Sequence, residues 1–333
     1  MNPRETILPL LKGNRISNPP AFSGLIHVTA EGLQSENLTL HEAQHDPHKM
    51  ARAAASTFKL SGIPSAVAPL DMCVEAEALG SAIAWGVEDY AFPRVAKPLF
   101  SSAKFITSEI GDNYDALNRG RIKLTCEALE RLREDIGSET VIGGMIPGPF
   151  TLLLFLVEPG GLFADMKREP ATLHTALNNL GDFLARVGQA YRNAGADFIT
   201  IHDMGGSPGF IGPAKYESFV YPAEKHLIEQ LPEPCILSVC GNTNKSLYLL
   251  AQTGADAISV DQLNDLAASR QLLSDTPLFG NIDPVVTLWQ GDESEITEAV
   301  RGAKEAGADA VWPGCDLVPQ TPIRNIQTWV HGC

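Results

Sequence analysis

The chain is short of positive charge. Its 333 residues carry 25 Lys and Arg against 40 Asp and Glu, a formal net charge of -15. A surface that neutralises phosphates or anionic lipid needs the opposite excess, so neither nucleic acid nor a membrane is expected as a partner. No segment approaches the ~20 consecutive apolar residues of a membrane-spanning helix. The opening residues, MNPRETILPLLKGNR, lack a long apolar stretch with a cleavage site, and a cytoplasmic location is expected. The six cysteines (Cys73, Cys126, Cys235, Cys240, Cys315 and Cys333) include no CxxC pair. That is a poor disulfide framework for so long a chain, so reduced thiols are expected, with Cys126 and Cys235 reading as small buried hydrophobes. Neither GxGxxG nor GxxxxGK[ST] occurs, which removes the two common phosphate-binding signatures of open, doubly wound sheets.

What is present is a repeated tripeptide. NAGADFITIHD at 193–203, QTGADAISVDQ at 252–262 and EAGADAVWPGCD at 305–316 each place Gly-Ala-Asp between a helix-like segment and a β-rich run. Gly195, Gly254 and Gly307 stand where a helix C-terminus favours a residue able to take positive φ. Apolar runs ending in polar or Gly/Pro signals occur at AFSGLIHV (21–28), SAVAPLD (65–71), TVIGGMIPG (140–148), DFITIHD (197–203), CILSVC (235–240), AISVDQ (257–262), PLFGNID (277–283) and AVWPGCD (310–316). Eight runs with helical patterns between most of them predict parallel strands closed into a single-domain (β/α)8 TIM barrel over 1–333, with an open sheet as the alternative. The gap from 71 to 140 is too long for one helix and reads as an insertion between the second and third strands, a lid or excursion over one end of the barrel.

Barrels of this kind carry their chemistry at the C-terminal ends of the strands. Those ends here are His27, Asp71, Met145, His202 with Asp203, Ser238 with Cys240, Asp261 with Gln262, Asn281 with Asp283, and Cys315 with Asp316. Side chains alternate along a strand, so Ser238 and Cys240 share a face. Two thiols and a carboxylate suit tetrahedral zinc with one position open, although two cysteines this far apart are more often unrelated. A hydrogen-bonded rim histidine at 202, and turn-forming carboxylates at Asp203, Asp261 and Asp283, are the plainer readings. Glu75 and Glu77 are placed at the mouth, where at most one of an i, i+2 pair on a helix faces the pocket. VPQTPIRN shapes the rim after the eighth strand, and His331 and Cys333 read as a frayed tail.

Taken together, APLDMCVEAEALG, VIGGMIPGPFTLL, CILSVCGNTN, ISVDQLNDL, LFGNIDPVVTLWQG and VWPGCDLVPQTPIRNI resemble the uroporphyrinogen decarboxylase superfamily. The resemblance spans about 5–330 and is strongest to its branch of cobamide-dependent methyltransferases. It implies a (β/α)8 barrel that moves a methyl group from methylcobalamin, or from a corrinoid on a separate small protein, to a small-molecule acceptor: a thiol such as coenzyme M, or tetrahydrofolate. In the thiol-methylating members zinc binds the acceptor sulfur through a His-x-Cys motif at the fifth strand and a Cys in PGC at the eighth. Cys240 and Cys315 match those thiols, but Ser238 stands in place of the histidine. A third ligand would come from Asp261, from His202, or not at all. The resemblance thus assigns catalysis to Cys240, Cys315, Asp261, His202 and Asp203, and cofactor contacts to Asp71, Glu75, Asn281, Asp283, Ser238 and Gln262. The alternatives are a uroporphyrinogen decarboxylase-like lyase and a non-catalytic corrinoid- or tetrapyrrole-binding barrel. Decarboxylases carry an arginine-rich stretch near the first strand, whereas this chain has no arginine between Arg15 and Arg52.

Overall fold

The structure, a computed structural model, describes residues 2–118, 120–273 and 275–333, and Tyr114 by its backbone alone. Its main sheet is parallel throughout. Strands β1 (Ser65–Ala68), β4 (Val141–Pro147), β5 (Phe198–His202), β6 (Cys235–Val239), β7 (Ala257–Val260) and β8 (Leu278–Phe279) pair in that order, while β2 (Ile83–Ala84) and β3 (Arg94–Val95) form a separate antiparallel hairpin. The first and last of the expected runs are reduced to single parallel bridges, Ala21 with Val311, Phe279 with Ala310, and Ile282 with Pro313. Hydrogen bonds join these runs to their neighbours: Val311 N donates to Pro20 O (2.9 Å), Ile282 N to Trp312 O (2.9 Å) and Leu317 N to Ile26 O (2.9 Å), and the first run meets β1 where Ser23 N donates to Ser65 Oγ (3.1 Å). Pro313 has no N–H to offer a ladder, which helps explain why the eighth run is bridges rather than a strand.

Inside the ring, Phe22, Val141, Phe198, Ile236, Phe279 and Trp312 form a cluster separate from the main core. Phe22 meets Phe198, Phe279 and Trp312 edge-on at centroid distances of 6.2, 5.3 and 4.9 Å. Gly24 is required here, because a Cβ would lie 2.3 Å from Thr200 Oγ1 and 2.8 Å from the Trp312 ring. The barrel is therefore plugged beneath its mouth, and along β5 the inward positions run Phe198, Thr200, His202, from plug to site.

The Gly-Ala-Asp repeat has one mechanical role in all three copies. Gly195, Gly254 and Gly307 take φ of 108°, 91° and 91°. In each copy the aspartate then accepts a backbone N–H from the neighbouring strand: Ile142 N to Asp197 Oδ2 (2.8 Å), Cys235 N to Asp256 Oδ2 (2.7 Å) and Leu278 N to Asp309 Oδ2 (2.9 Å). Asp197 is also held by Arg4 and Arg133, at 2.6 Å each.

The stretch 71–140 contains more than an excursion. Its last part is the helix Gly120–Asp135, which packs on the helix Pro47–Ser61 as an outer-layer helix of the barrel; the β2–β3 hairpin and several short helices precede it. The C-terminus is not frayed as expected. His331 lies in the helix Ile323–Gly332, whose Trp329 is fully buried, and Asn18 Nδ2 donates to Cys333 O. All six cysteines are free thiols, and among the described residues no helix is long and apolar enough to cross a membrane.

Candidate metal centre

At the mouth of the barrel the inward alternation of β5 ends on His202, whose side chain is fully buried. Parallel pairing puts His202 directly opposite Ser238 of β6. Two residues further along the same face comes Cys240, and Cys315 arrives from the eighth run. His202 Nε2 lies 3.9 Å from each sulfur. The nitrogen and both sulfurs lie within 4.8 Å of one another, the one such His/Cys/Asp/Glu group found among the described residues. Asp316 Oδ2 is 3.6 Å from His202 Nε2, and its Oδ1 accepts from Ile26 N at 2.8 Å.

The electrostatics follow from this packing. Burial disfavours an imidazolium at His202, but Asp316, Cys315 and Asp203 outweigh it and raise its pKa to about 9. Burial lifts Asp316 to about 6 against the opposing pull of His202. The thiols split: their mutual hydrogen bond and then burial push Cys240 up, while the same hydrogen bond, together with His202, overcomes burial and holds Cys315 low. Two sulfurs, one of them the thiol held low at Cys315, and a ring nitrogen form a donor set that suits a borderline-soft metal once His202 has released its proton.

The other sequence-derived candidates are placed as follows. Asp203 is on the opposite face of β5; its Oδ1 accepts from Thr151 N (3.2 Å), Thr151 Oγ1 (2.5 Å) and Gly206 N (2.9 Å), tying the helix Pro149–Leu156 after β4 to the turn after β5. Asp261 is buried at the mouth outside the three-residue group, and its Oδ1 takes the N–H of Leu263 (2.8 Å). Gln262 packs its amide on Gly314, where a Cβ would sit 2.3 Å from Oε1. Asn281 Nδ2 donates to the carbonyls of Asp261 (3.2 Å) and Asn264 (3.0 Å), and Asp283 caps the turn that follows through Val285 N and Val286 N, 2.8 Å each. Asp71 is buried in an ion pair with Arg121. Glu75 is fully buried with Tyr191 Oη donating to it at 3.3 Å, and Glu77 pairs with Arg121. His27 is a core histidine with its ring nitrogens 2.7 Å from Leu25 O and 3.1 Å from Ser65 O; Met145 is buried. Arg121, 4% exposed between Asp71 and Glu77, is a residue sequence reasoning passed over. It lies on a helix of the long gap, with no strand end to mark it.

A cavity of about 320 Å³ is lined by Asp316, the residue 3.6 Å from His202 Nε2 and next in sequence to Cys315, and not by the three donors themselves; Met72, Phe92, Leu154, Phe155 and Met204 supply much of its wall. The uroporphyrinogen decarboxylase family model matches residues 2–333. The chain belongs to that family. Within the uroporphyrinogen decarboxylase family it is 30% identical over 335 residues to "Methylcobamide:CoM methyltransferase MtbA" of Methanosarcina acetivorans, covering 99% of this chain and 96% of that one. It is 26% identical to the "Methylated-thiol--coenzyme M methyltransferase" of Methanosarcina mazei, covering 100% and 89%. A solved "methyltransferase from Methanosarcina mazei" superposes with a TM-score of 0.93 at 26% identity, covering 100% of this chain and 98% of that one.

Proposed function

We propose that this protein is a corrinoid-dependent methyltransferase whose acceptor is a thiol, with zinc held by His202, Cys240 and Cys315. The observation that carries the reading is the convergence of Nε2 and two sulfurs within 4.8 Å at the strand ends, in a chain whose full-length relatives are named as methylcobamide:CoM methyltransferases. One nitrogen and two sulfurs fit a catalytic zinc site with three protein ligands and one open position. When bound there, zinc supplies a cationic centre that favours the acceptor's thiolate at neutral pH. Asp316 sits on the cavity wall beside His202, where it can accept the acceptor's thiol proton. The acceptor sulfur then attacks the methyl carbon, forming the S–C bond as the donor's C–Co bond breaks and its electron pair stays with cobalt. No acid–base relay is needed at carbon, so positioning supplies most of the rate.

The donor's approach is supported by the rim. Phe210, Leu263 and Val286 are 63%, 60% and 64% exposed on the connections that follow β5, β7 and β8, an apolar border suited to a flat macrocycle carried on a small corrinoid protein. The soft donor set favours a thiol over the tetrahydrofolate alternative, because a ring-nitrogen acceptor gains little from two thiolate ligands. The test is metal analysis of the purified protein together with methyl transfer from methylcobalamin to thiols. About one zinc per chain, lost with activity in Cys240→Ser, is expected. A metal-free protein that still methylates thiols would overturn the assignment of the site, and absence of transfer to any thiol would overturn the activity.

A further inference from the structure

The cavity that reaches the three donors through Asp316 is larger and more apolar than a short, charged acceptor needs. Its volume of about 320 Å³ is in the range that takes a ring-sized ligand. Its wall comes from the connections that follow the first run, β1, β4 and β5, and from the β2–β3 hairpin, which brings Phe92, Pro93, Arg94 and Val95 over the top. Ile26, Met72, Leu154, Phe155 and Met204 complete the apolar surface. Covering such a wall with an apolar guest removes it from water and favours binding, and two methionines let the wall adapt to the guest's outline.

The charged groups on the wall are few and mostly paired. Asp71 and Asp316 both line it; Arg121 neutralises the first, and Asp316 stands 3.6 Å from His202, next to where the acceptor's sulfur would sit. The one basic residue on the wall, Arg94, is exposed to water on the hairpin. A two-carbon thiol ending in sulfonate would leave most of the apolar wall uncovered.

We propose that the cavity selects a thiol with an apolar body of aryl or branched-alkyl size, seated under the β2–β3 hairpin with its sulfur at the His202–Cys240–Cys315 group. This deepens the methyl-transfer reading and rests on it for the identity of the head group. It also divides the mouth: the acceptor's body enters from the hairpin side, leaving the border formed by Phe210, Leu263 and Val286 free for the donor.

The test is equilibrium binding to the full-length, metal-loaded protein by titration calorimetry. The probes are 2-phenylethanethiol, 2-mercaptoethanesulfonate and ethylbenzene, the last being the apolar body without sulfur. The aryl thiol should bind at least tenfold more tightly than the sulfonate thiol, and ethylbenzene should compete with it. Filling the cavity by Val95→Trp, or from the more open side by Met204→Trp, should cut the aryl preference at least fivefold in whichever variant melts like the parent. Equal or reversed affinities on the parent protein would overturn the proposal, as would failure of ethylbenzene to compete. A parallel assay with methylcobalamin separates the two levels. Preferred methylation of the sulfonate thiol would remove the cavity assignment and leave the activity standing. An aryl preference in binding with no transfer to either thiol would remove the activity and leave the cavity assignment standing.

Discussion

A parallel ladder makes register partners interchangeable sources of an inward side chain, because both point to the same face at the same height. His202 and Ser238 are such partners, so a histidine missing from one strand can be supplied by its neighbour, and the small Ser238 leaves room for the incoming ring. Replacing His202 by Ala should lower zinc from about one per chain to under a tenth, and Ser238→His in that background should restore more than half of it, measured by elemental analysis. Zinc retained in His202→Ala would instead make Asp261 the third ligand. Glu75 makes a different prediction. Burial raises its pKa from 4.5 to about 8, so between those values the folded chain holds a proton that the unfolded chain releases. Stability therefore falls as pH rises through that window, by an amount on the order of 3 kcal/mol at pH 7. Glu75→Gln should melt higher than the parent at pH 7.5 and close to it at pH 4.5. An identical pH slope in parent and variant would show that another group carries it.

At the level of elements, the Gly-Ala-Asp repeat shows what the sequence made legible. The positive-φ glycine and the strand after it could be read from composition alone. What the aspartate binds could not, since its partner lies on another strand: Ile142, Cys235 and Leu278 are 55, 21 and 31 positions away. These bonds sit at the N-terminal ends of the strands, the stability face of such a barrel. Asp197→Ala, which also removes the ion pairs of Arg4 and Arg133, should cost about 3 kcal/mol, and Asp256→Ala about 1 to 2 kcal/mol for one backbone N–H left unpaired. Neither should alter zinc content. Reversal of that order in thermal melts would mean the arginine pairs contribute little. The first and eighth runs were found at their right places, but their reduction to bridges was hidden, because it follows from Pro313 and from how Gly24 is pressed against Trp312 inside the ring.

The whole molecule brings together what the linear order keeps apart. Cys240 and Cys315 could be proposed as a pair from the barrel frame, with the third donor left open between Asp261 and His202; strand register is what brings His202 to 3.9 Å from both sulfurs. Asp203 shows the converse: adjacent to His202 in sequence, it is turned away by strand alternation and ties the helix Pro149–Leu156 to the turn after β5. The same assembly decides how a donor docks. With a net charge of -15, long-range attraction can help only a carrier with a basic rim, and it weakens as salt rises; short-range contact is left to the apolar border. Leu263→Asp and Val286→Asp add charge to that border without touching the three donors. With a methylated corrinoid carrier protein as donor, each should lower kcat/KM at least tenfold, mainly through KM, while zinc content and melting temperature stay at the parent's values. Loss of zinc or of thermal stability in the same variants would mean that these connections support the barrel mouth itself. Unchanged kcat/KM with intact zinc would move the docking face to the hairpin side and set the donor in competition with the acceptor's cavity.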